Sequence, residues 1–213
     1  MLFKFFYDKI IRLIFKFYFM KTKIGVMGSS QGPTIENNKN LSKATEIGKM
    51  IAQNNCILVN GACPGLPNEA AIGAKTEGGF VLGISPAFSE NEHLKKYKNP
   101  IKAYDLIIYT GMGLMERDIL NIRSSDAIIL VGGGIGTLNE FTVAFDEGKI
   151  VGVLTSSGGI SEHIPDIVQK CNRNLGNRVL FSSNPSELVN KVLTAIKQLP
   201  SVDTEDERII HGE

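Results

Sequence analysis

Asp126-Ala127-Ile128-Ile129-Leu130-Val131-Gly132-Gly133-Gly134-Ile135-Gly136-Thr137-Leu138-Asn139-Glu140-Phe141-Thr142 is the stretch on which the fold turns. Ala127 to Val131 form an apolar, largely β-branched run of strand length, and a helical pattern opens at Thr137. Between them lie four glycines in five positions, Gly132 to Gly136. A buried strand, a glycine turn and a helix start in succession make an anion-binding device. Without a Cβ the backbone turns tightly and approaches a ligand closely. The first N–H groups of the helix then point at that ligand from the positive end of the helix dipole. A tight connection without a ligand is the plainer alternative, but it does not need so many glycines.

Working outward, the same grammar repeats. Ile24–Met27 reads as a short strand ending at Gly28-Ser29-Ser30-Gln31-Gly32, followed by a helix over Leu41–Gln53. Cys56–Val59 is a second strand, ending at Asn60-Gly61-Ala62-Cys63-Pro64-Gly65, and a helix follows over Asn68–Thr76. Phe80–Ile84, Leu106–Tyr109, Ile150–Leu154 and Val179–Phe181 read as further strands. Helices are expected at Met115–Arg123, Ile164–Cys171 and Pro185–Gln198. Ser85–Pro100 is polar and weakly periodic, and reads as a long loop or lid with at most one helical turn. Strands alternating with helices at this spacing specify βαβ units and a parallel sheet. Short apolar strands with little alternation suit a sheet covered on both faces. The expected fold is a Rossmann-like doubly wound α/β/α domain, too short for a (β/α)8 barrel. In such a sheet the strand C-termini share one edge, so the glycine-rich loops converge on one crevice.

Composition narrows the function. The 213-residue chain is 43% hydrophobic and 21% charged, with a formal net charge of +1. That is an ordinary globular profile, and the absence of a basic cluster argues against nucleic-acid binding. Three cysteines and three histidines are scattered without ligand spacing. No metal and no cofactor is expected, and the odd cysteine count implies reduced thiols and a cytoplasmic location.

Residues 1–19 stand apart from the rest. Lys4, Asp8, Arg12 and Lys16 recur every fourth position among Phe, Ile, Leu and Tyr. No apolar run is long enough to span a membrane, and no secretory cleavage site follows. Two readings stay open: translation from an upstream start ahead of Met20, or a basic amphipathic helix lying on a membrane surface. Membrane contact is expected only in the second case. The domain is thus placed at 20–200, with an atypical extension at 1–19 and a polar tail at 201–213.

The crevice offers specific chemistry. The Gly28–Gly32 and Gly132–Gly136 turns and Arg117 are candidate phosphate contacts, since arginine presents a planar, permanently charged fork. Arg117 also fits a surface arginine paired with Glu116 or Asp118. Thr137 suits either a helix cap or a phosphate donor. The full dinucleotide fingerprint and the Mg-ATP P-loop sequence are both missing, which favours a mononucleotide-like ligand. Glu140, one turn inside the helix, is the candidate for acid, base or electrostatic work. Cleaving an N-glycosidic bond builds positive charge on the ribose, which a fixed carboxylate stabilises. Alternatively, Glu140 merely favours the helix N-terminus, worth about 0.3–1 kcal/mol.

Gly133-Gly134-Ile135-Gly136-Thr137-Leu138-Asn139-Glu140 resembles the P-G-G-x-G-T-x-x-E signature of the Lonely Guy (LOG) family, long labelled possible lysine decarboxylases. Glu116-Arg117 resembles part of that family's M-x-E-R-K segment, Gly28-Ser29-Ser30 its first loop, and Gly61, Gly65 and Leu66 its second. The likeness runs from about Lys23 to Ser157. It implies a Rossmann-like homodimer that hydrolyses nucleoside 5′-monophosphates to free base and ribose 5-phosphate. In that implied scheme Arg117 and Glu140 are catalytic. Gly28, Ser29, Ser30, Gly61, Gly65, Gly133, Gly134, Gly136 and Thr137 hold the nucleotide and its phosphate. Lysine decarboxylase activity is not implied, since no lysine is placed to hold pyridoxal phosphate. The departures are Gly132 for the motif's Pro, Asp118 for the Lys after the arginine, and an altered second loop. They point to a prokaryotic branch similar to molybdenum-cofactor carrier proteins. A non-catalytic nucleotide or molybdenum-cofactor carrier or sensor is therefore the alternative function.

Overall fold

The computed structural model describes residues 20–171 and 178–199. The extension expected at 1–19 and the tail expected at 201–213 lie outside the described residues. Seven strands form one parallel sheet: β1 (Lys23–Gly28), β2 (Ile57–Asn60), β3 (Phe80–Ser85), β4 (Leu106–Tyr109), β5 (Ala127–Val131), β6 (Ile150–Leu154) and β7 (Val179–Ser182). Their order is β4-β3-β2-β1-β5-β6-β7. The helices are α1 (Pro33–Glu36), α2 (Asn38–Gln53), α3 (Leu66–Thr76), α4 (Glu90–Lys95), α5 (Gly113–Arg123), α6 (Ile135–Asp146), α7 (Ile164–Cys171) and α8 (Pro185–Gln198). A 3-10 turn at Gly159–Glu162 follows β6.

Alternation along the strands builds two cores. Ile129 and Val131 of β5 join Ile24 and Val26 of β1 in packing against α2, α3 and α8. Ile128 and Leu130 point the other way, with Val151 and Val153, against Ile122 of α5 and Phe141 and Phe145 of α6. Every residue of β5 and β6 is buried, which explains why both read as unbroken apolar runs. At the edge, β4 leaves Leu106 and Ile108 exposed.

The chain winds outward from β1 to β4 and returns to place β5 beside β1. Gly28 pairs with Val131 at the ends of these two strands. The topological switch point therefore lies between the first loop and the Gly132–Gly136 turn, where open parallel sheets bind ligands.

The strands fall where the hydrophobic runs put them, while several helices start earlier than periodicity suggests. Asn37 caps α2 by accepting from Lys39 N, four residues ahead of the first periodic leucine. α3 starts at Leu66 with Pro67 in its first turn, a position where a missing N–H costs nothing. Ser85–Pro100 holds α4, and fully buried His93 pins this segment. His93 Nδ1 lies 2.8 Å from Ser85 Oγ, and Nε2 lies 3.1 Å from the Pro100 carbonyl. The segment is a packed connection and not a free lid.

Candidate functional site

The two switch-point loops hold each other in shape. Gly133 N donates to Ser29 Oγ at 2.7 Å, and Thr34 Oγ1 donates to the same oxygen at 2.5 Å. Gly132 N donates to Ser157 Oγ at 2.8 Å. The outward carbonyls of the turn are satisfied by the 3-10 segment: Ile160 N donates to Gly133 O at 2.9 Å, and Ser161 Oγ to Gly132 O at 2.7 Å. Gly132 and Gly133 sit at φ 63° and 96°, left-handed values that demand glycine. Ser29, Ser157 and Ser161 thus fix a turn whose conformation only glycines can take.

This bracing leaves the helix end exposed to a ligand. Gly134 is the N-cap of α6 and supplies no side-chain cap, so the leading N–H groups of the helix have no partner from the cap residue. Thr137 lies at the third helical position. It does not cap the helix, and its hydroxyl makes no hydrogen bond among the described residues. Gly133, Gly134, Gly136 and Thr137 all line a cleft of about 670 Å³, together with Gly28, Ser29, Ser30, Gly61, Arg117 and Glu140. Ten of the eleven residues singled out in the sequence meet there. Gly65 does not line the cleft. It begins α3 behind the first loop at φ 78°, where a Cβ would press on Ser29 and Ser30 backbone. From that place Leu66 N donates to Ser29 O at 2.9 Å.

The charged centre is a buried group of three. Arg117 and Asp118 come from α5 and Glu140 from α6, each less than one-tenth exposed. Arg117 Nη1 lies 3.1 Å from Asp118 Oδ1 and 3.9 Å from Glu140 Oε1. With the Asn121 amide turned to satisfy both its ends, its oxygen accepts from the same Nη1 at 2.6 Å and its nitrogen donates to Asn60 O at 3.3 Å. Asn139 Nδ2 donates to Asp118 Oδ2 at 3.4 Å. Arg117 Nε is buried without a partner. Of the two surface pairings open in the sequence, Glu116 or Asp118, the pair formed is with Asp118, and it is buried.

Two buried carboxyl groups facing one guanidinium leave an excess of negative charge. Burial first, and the neighbouring Asp118 charge second, push the Glu140 carboxyl up to about 8, with Arg117 opposing. Burial likewise raises Asp118, against the pull of Arg117. Burial pushes the nearby Cys63 thiol up to about 11, so it is a neutral cleft-lining group. Leu114 and Met115 add an apolar wall, each more than half exposed. Among the described residues no group of three or more His, Cys, Asp or Glu is placed to hold a metal ion. No described helix is long and apolar enough to cross a membrane.

The sequence offered Asp118 as a partner of Arg117 but not Asn121, nor Asn139 as the partner of Asp118. Asn121 falls one helical turn after Arg117 and carries the i,i+4 signal that places both on one face. Asn139, next to Glu140, offers no such pattern.

Comparison with known proteins adds four likenesses. The sequence model described as the SLOG cluster4 family matches residues 21–189. An uncharacterised protein of Archaeoglobus fulgidus is 36% identical over 132 residues, 62% of this chain and 79% of that one. Among solved structures, the structural-genomics protein TM1055 superposes with a TM-score of 0.69 at 24% identity, covering 84% of this chain and all of that one, a likeness of fold. The molybdenum cofactor carrier protein of Chlamydomonas reinhardtii superposes with a TM-score of 0.65 at 29% identity, over 84% of this chain and 100% of that one.

Proposed function

Since this chain belongs to the SLOG cluster4 family, whose nucleotide-binding Rossmann-like fold it shares, we propose that its cleft binds nucleoside 5′-monophosphates and hydrolyses their N-glycosidic bond. The observation that carries this reading is a single juxtaposition: an uncapped glycine-led helix N-terminus and the Arg117–Glu140 pair, 3.9 Å apart, line one cleft at the switch point. The helix end receives the phosphate, through backbone N–H groups and the Thr137 hydroxyl. The carboxyl of Glu140, one turn further along, then stands beside the ribose, where charge develops as the base departs. Arg117 orients the ligand and balances the carboxyl groups. Leu114 and Met115 offer apolar surface to the base. The exposed Leu106, Ile108, Met112 and Ile119 on β4 and around α5 suit a homodimer.

A second reading is favoured by one observation. Arg117 Nη1 is already engaged by Asp118 and Asn121, which suits a site that holds a ligand without turning it over. In that reading the protein is a carrier or sensor, and its cargo is a nucleotide or the molybdenum cofactor, which the Chlamydomonas protein is named for carrying.

Incubation with AMP, GMP, CMP and IMP, followed by chromatography for free base, separates the two. Release from at least one, lost in Glu140→Gln, is expected. Measurable binding with no release from any of the four supports the carrier reading.

A further inference from the structure

The resemblance that suggests catalysis gives no role to Asp118, yet Asp118 is the residue that Arg117 holds most closely among its charged neighbours. We propose that Asp118 is a positioning residue that shares one proton with Glu140, so that the pair presents an O–H donor, and not a bare carboxylate, to the ligand in the cleft. This rests on the nucleotide-binding reading for the identity of the ligand, but not on turnover.

The geometry supports it in three ways. Asp118 and Glu140 both line the cleft, and one atom, Arg117 Nη1, lies within 4 Å of a carboxyl oxygen of each. Both are less than one-tenth exposed, so water does little to screen two adjacent negative charges. The compensating charge is one guanidinium, nearer to Asp118 at 3.1 Å than to Glu140 at 3.9 Å. Asn139 donates to Asp118 and not to Glu140, which further favours the ionised form on Asp118. The proton therefore resides on Glu140, and Asp118 is its acceptor. Two buried carboxyl groups that share one guanidinium titrate as a unit, with the second proton lost well above the ordinary carboxylate range.

Every group facing the pair agrees with this. From α5 come Arg117 and Asp118 themselves, and from α6 Glu140. The loop after β2 contributes Cys63, a neutral thiol. Tyr104 feels Arg117 and Cys63, and burial keeps its phenol protonated. The first-loop residues lining the cleft, Ser29, Ser30 and Gln31, are uncharged. Among the described residues no lysine lines the cleft to neutralise the second carboxylate.

The consequence for chemistry is a change of role. In nucleotide hydrolysis the C1′–N bond breaks with its electron pair going to the base, and the base takes the pair's proton. Water oxygen then bonds to C1′, and the proton that water loses returns to the pair. The pair ends as it began, with one proton.

The test is a titration of the full-length protein carrying 13C-labelled Asp and Glu side-chain carboxyls, followed by NMR. Glu140→Gln assigns the Glu140 signal. The expected result is an upper midpoint near or above neutrality in the wild type. Asp118→Asn and, as a second variant, Asp118→Ser should each lower the Glu140 midpoint by about one pH unit or more. An ordinary carboxylate midpoint in the wild type, or one that neither Asp118 variant moves, overturns the proposal. Midpoints that shift as expected in a protein that releases no base uphold the shared proton and overturn the hydrolase reading instead.

Discussion

Gly61 and Arg117 are in contact: a Cβ built on Gly61 would overlap the guanidinium, falling 2.7 Å from Cζ and 3.0 Å from Nη2, and closer still to Nη1. The second loop therefore passes beneath the arginine, and the absent side chain is the room the guanidinium occupies.

Gly61→Ala tests what that room is for. The backbone at Gly61 is not left-handed, so alanine strains no backbone there and its clash falls on Arg117 alone. It displaces Arg117 from Asp118, Asn121 and Glu140 together. AMP affinity measured by calorimetry should fall about tenfold or more, equivalent to about 1.4 kcal/mol. Unchanged affinity would mean that Arg117 takes no part in binding.

Ser29 and Ser30 should separate bracing from contact. Removing the Ser29 hydroxyl orphans the Gly133 N–H, which it now accepts at 2.7 Å, at a cost of about 1–3 kcal/mol. Ser30 lines the cleft, but its hydroxyl makes no hydrogen bond among the described residues. Urea unfolding should show Ser29→Ala destabilised and Ser30→Ala near wild type. Equal stability in both would contradict the bracing of the glycine turn.

Glu140 should make the fold less stable in alkali. Its carboxyl binds a proton more tightly in the folded state, up to about 8 against an ordinary 4.5. The stabilisation linked to that proton is complete below 4.5 and is lost as pH rises through about 8. Each pH unit inside this window removes at most about 1.4 kcal/mol per proton. Tm should therefore decline from pH 5 to pH 8.5, by roughly 2–4 °C per kcal/mol. Glu140→Gln keeps the burial but cannot ionise, so its profile over this range should be flatter and its Tm at pH 8.5 higher. Parallel profiles would mean that Glu140 is not buried with Asp118.

His93 should be structural. It is fully buried between Ser85 and the Pro100 carbonyl. His93→Ala removes both hydrogen bonds and leaves a cavity, so a loss of about 2–4 kcal/mol is expected in denaturant unfolding. An undisturbed stability would mean that the 85–100 segment is mobile after all.

The sheet was legible because its strands carry no mixed message: β5 and β6 are apolar throughout since helices cover both faces. The cleft was legible for the same kind of reason. The glycine turn, Arg117 and Glu140 fall at strand ends, and strand ends of a parallel sheet share an edge. What the sequence hid depends on contacts between distant segments. His93 gives no period, yet it organises the whole stretch after β3 through two hydrogen bonds. Gly65 looks like a ligand contact by its loop, but its left-handed turn serves the packing of Leu66 against Ser29. The closeness of Asp118 to Glu140 arises from the meeting of α5 and α6, and no spacing between the two positions reveals it.

The proposed function requires the phosphate of a nucleoside 5′-monophosphate to sit on the N-terminus of α6. Its most direct measurement is a titration of 15N-labelled protein with AMP and, separately, with adenosine, following the backbone amides of Gly134, Ile135, Gly136 and Thr137. Large shifts of these amides with AMP, and weak or no binding of adenosine, are expected. Equal binding of both, or AMP binding that leaves these amides unmoved, would contradict it.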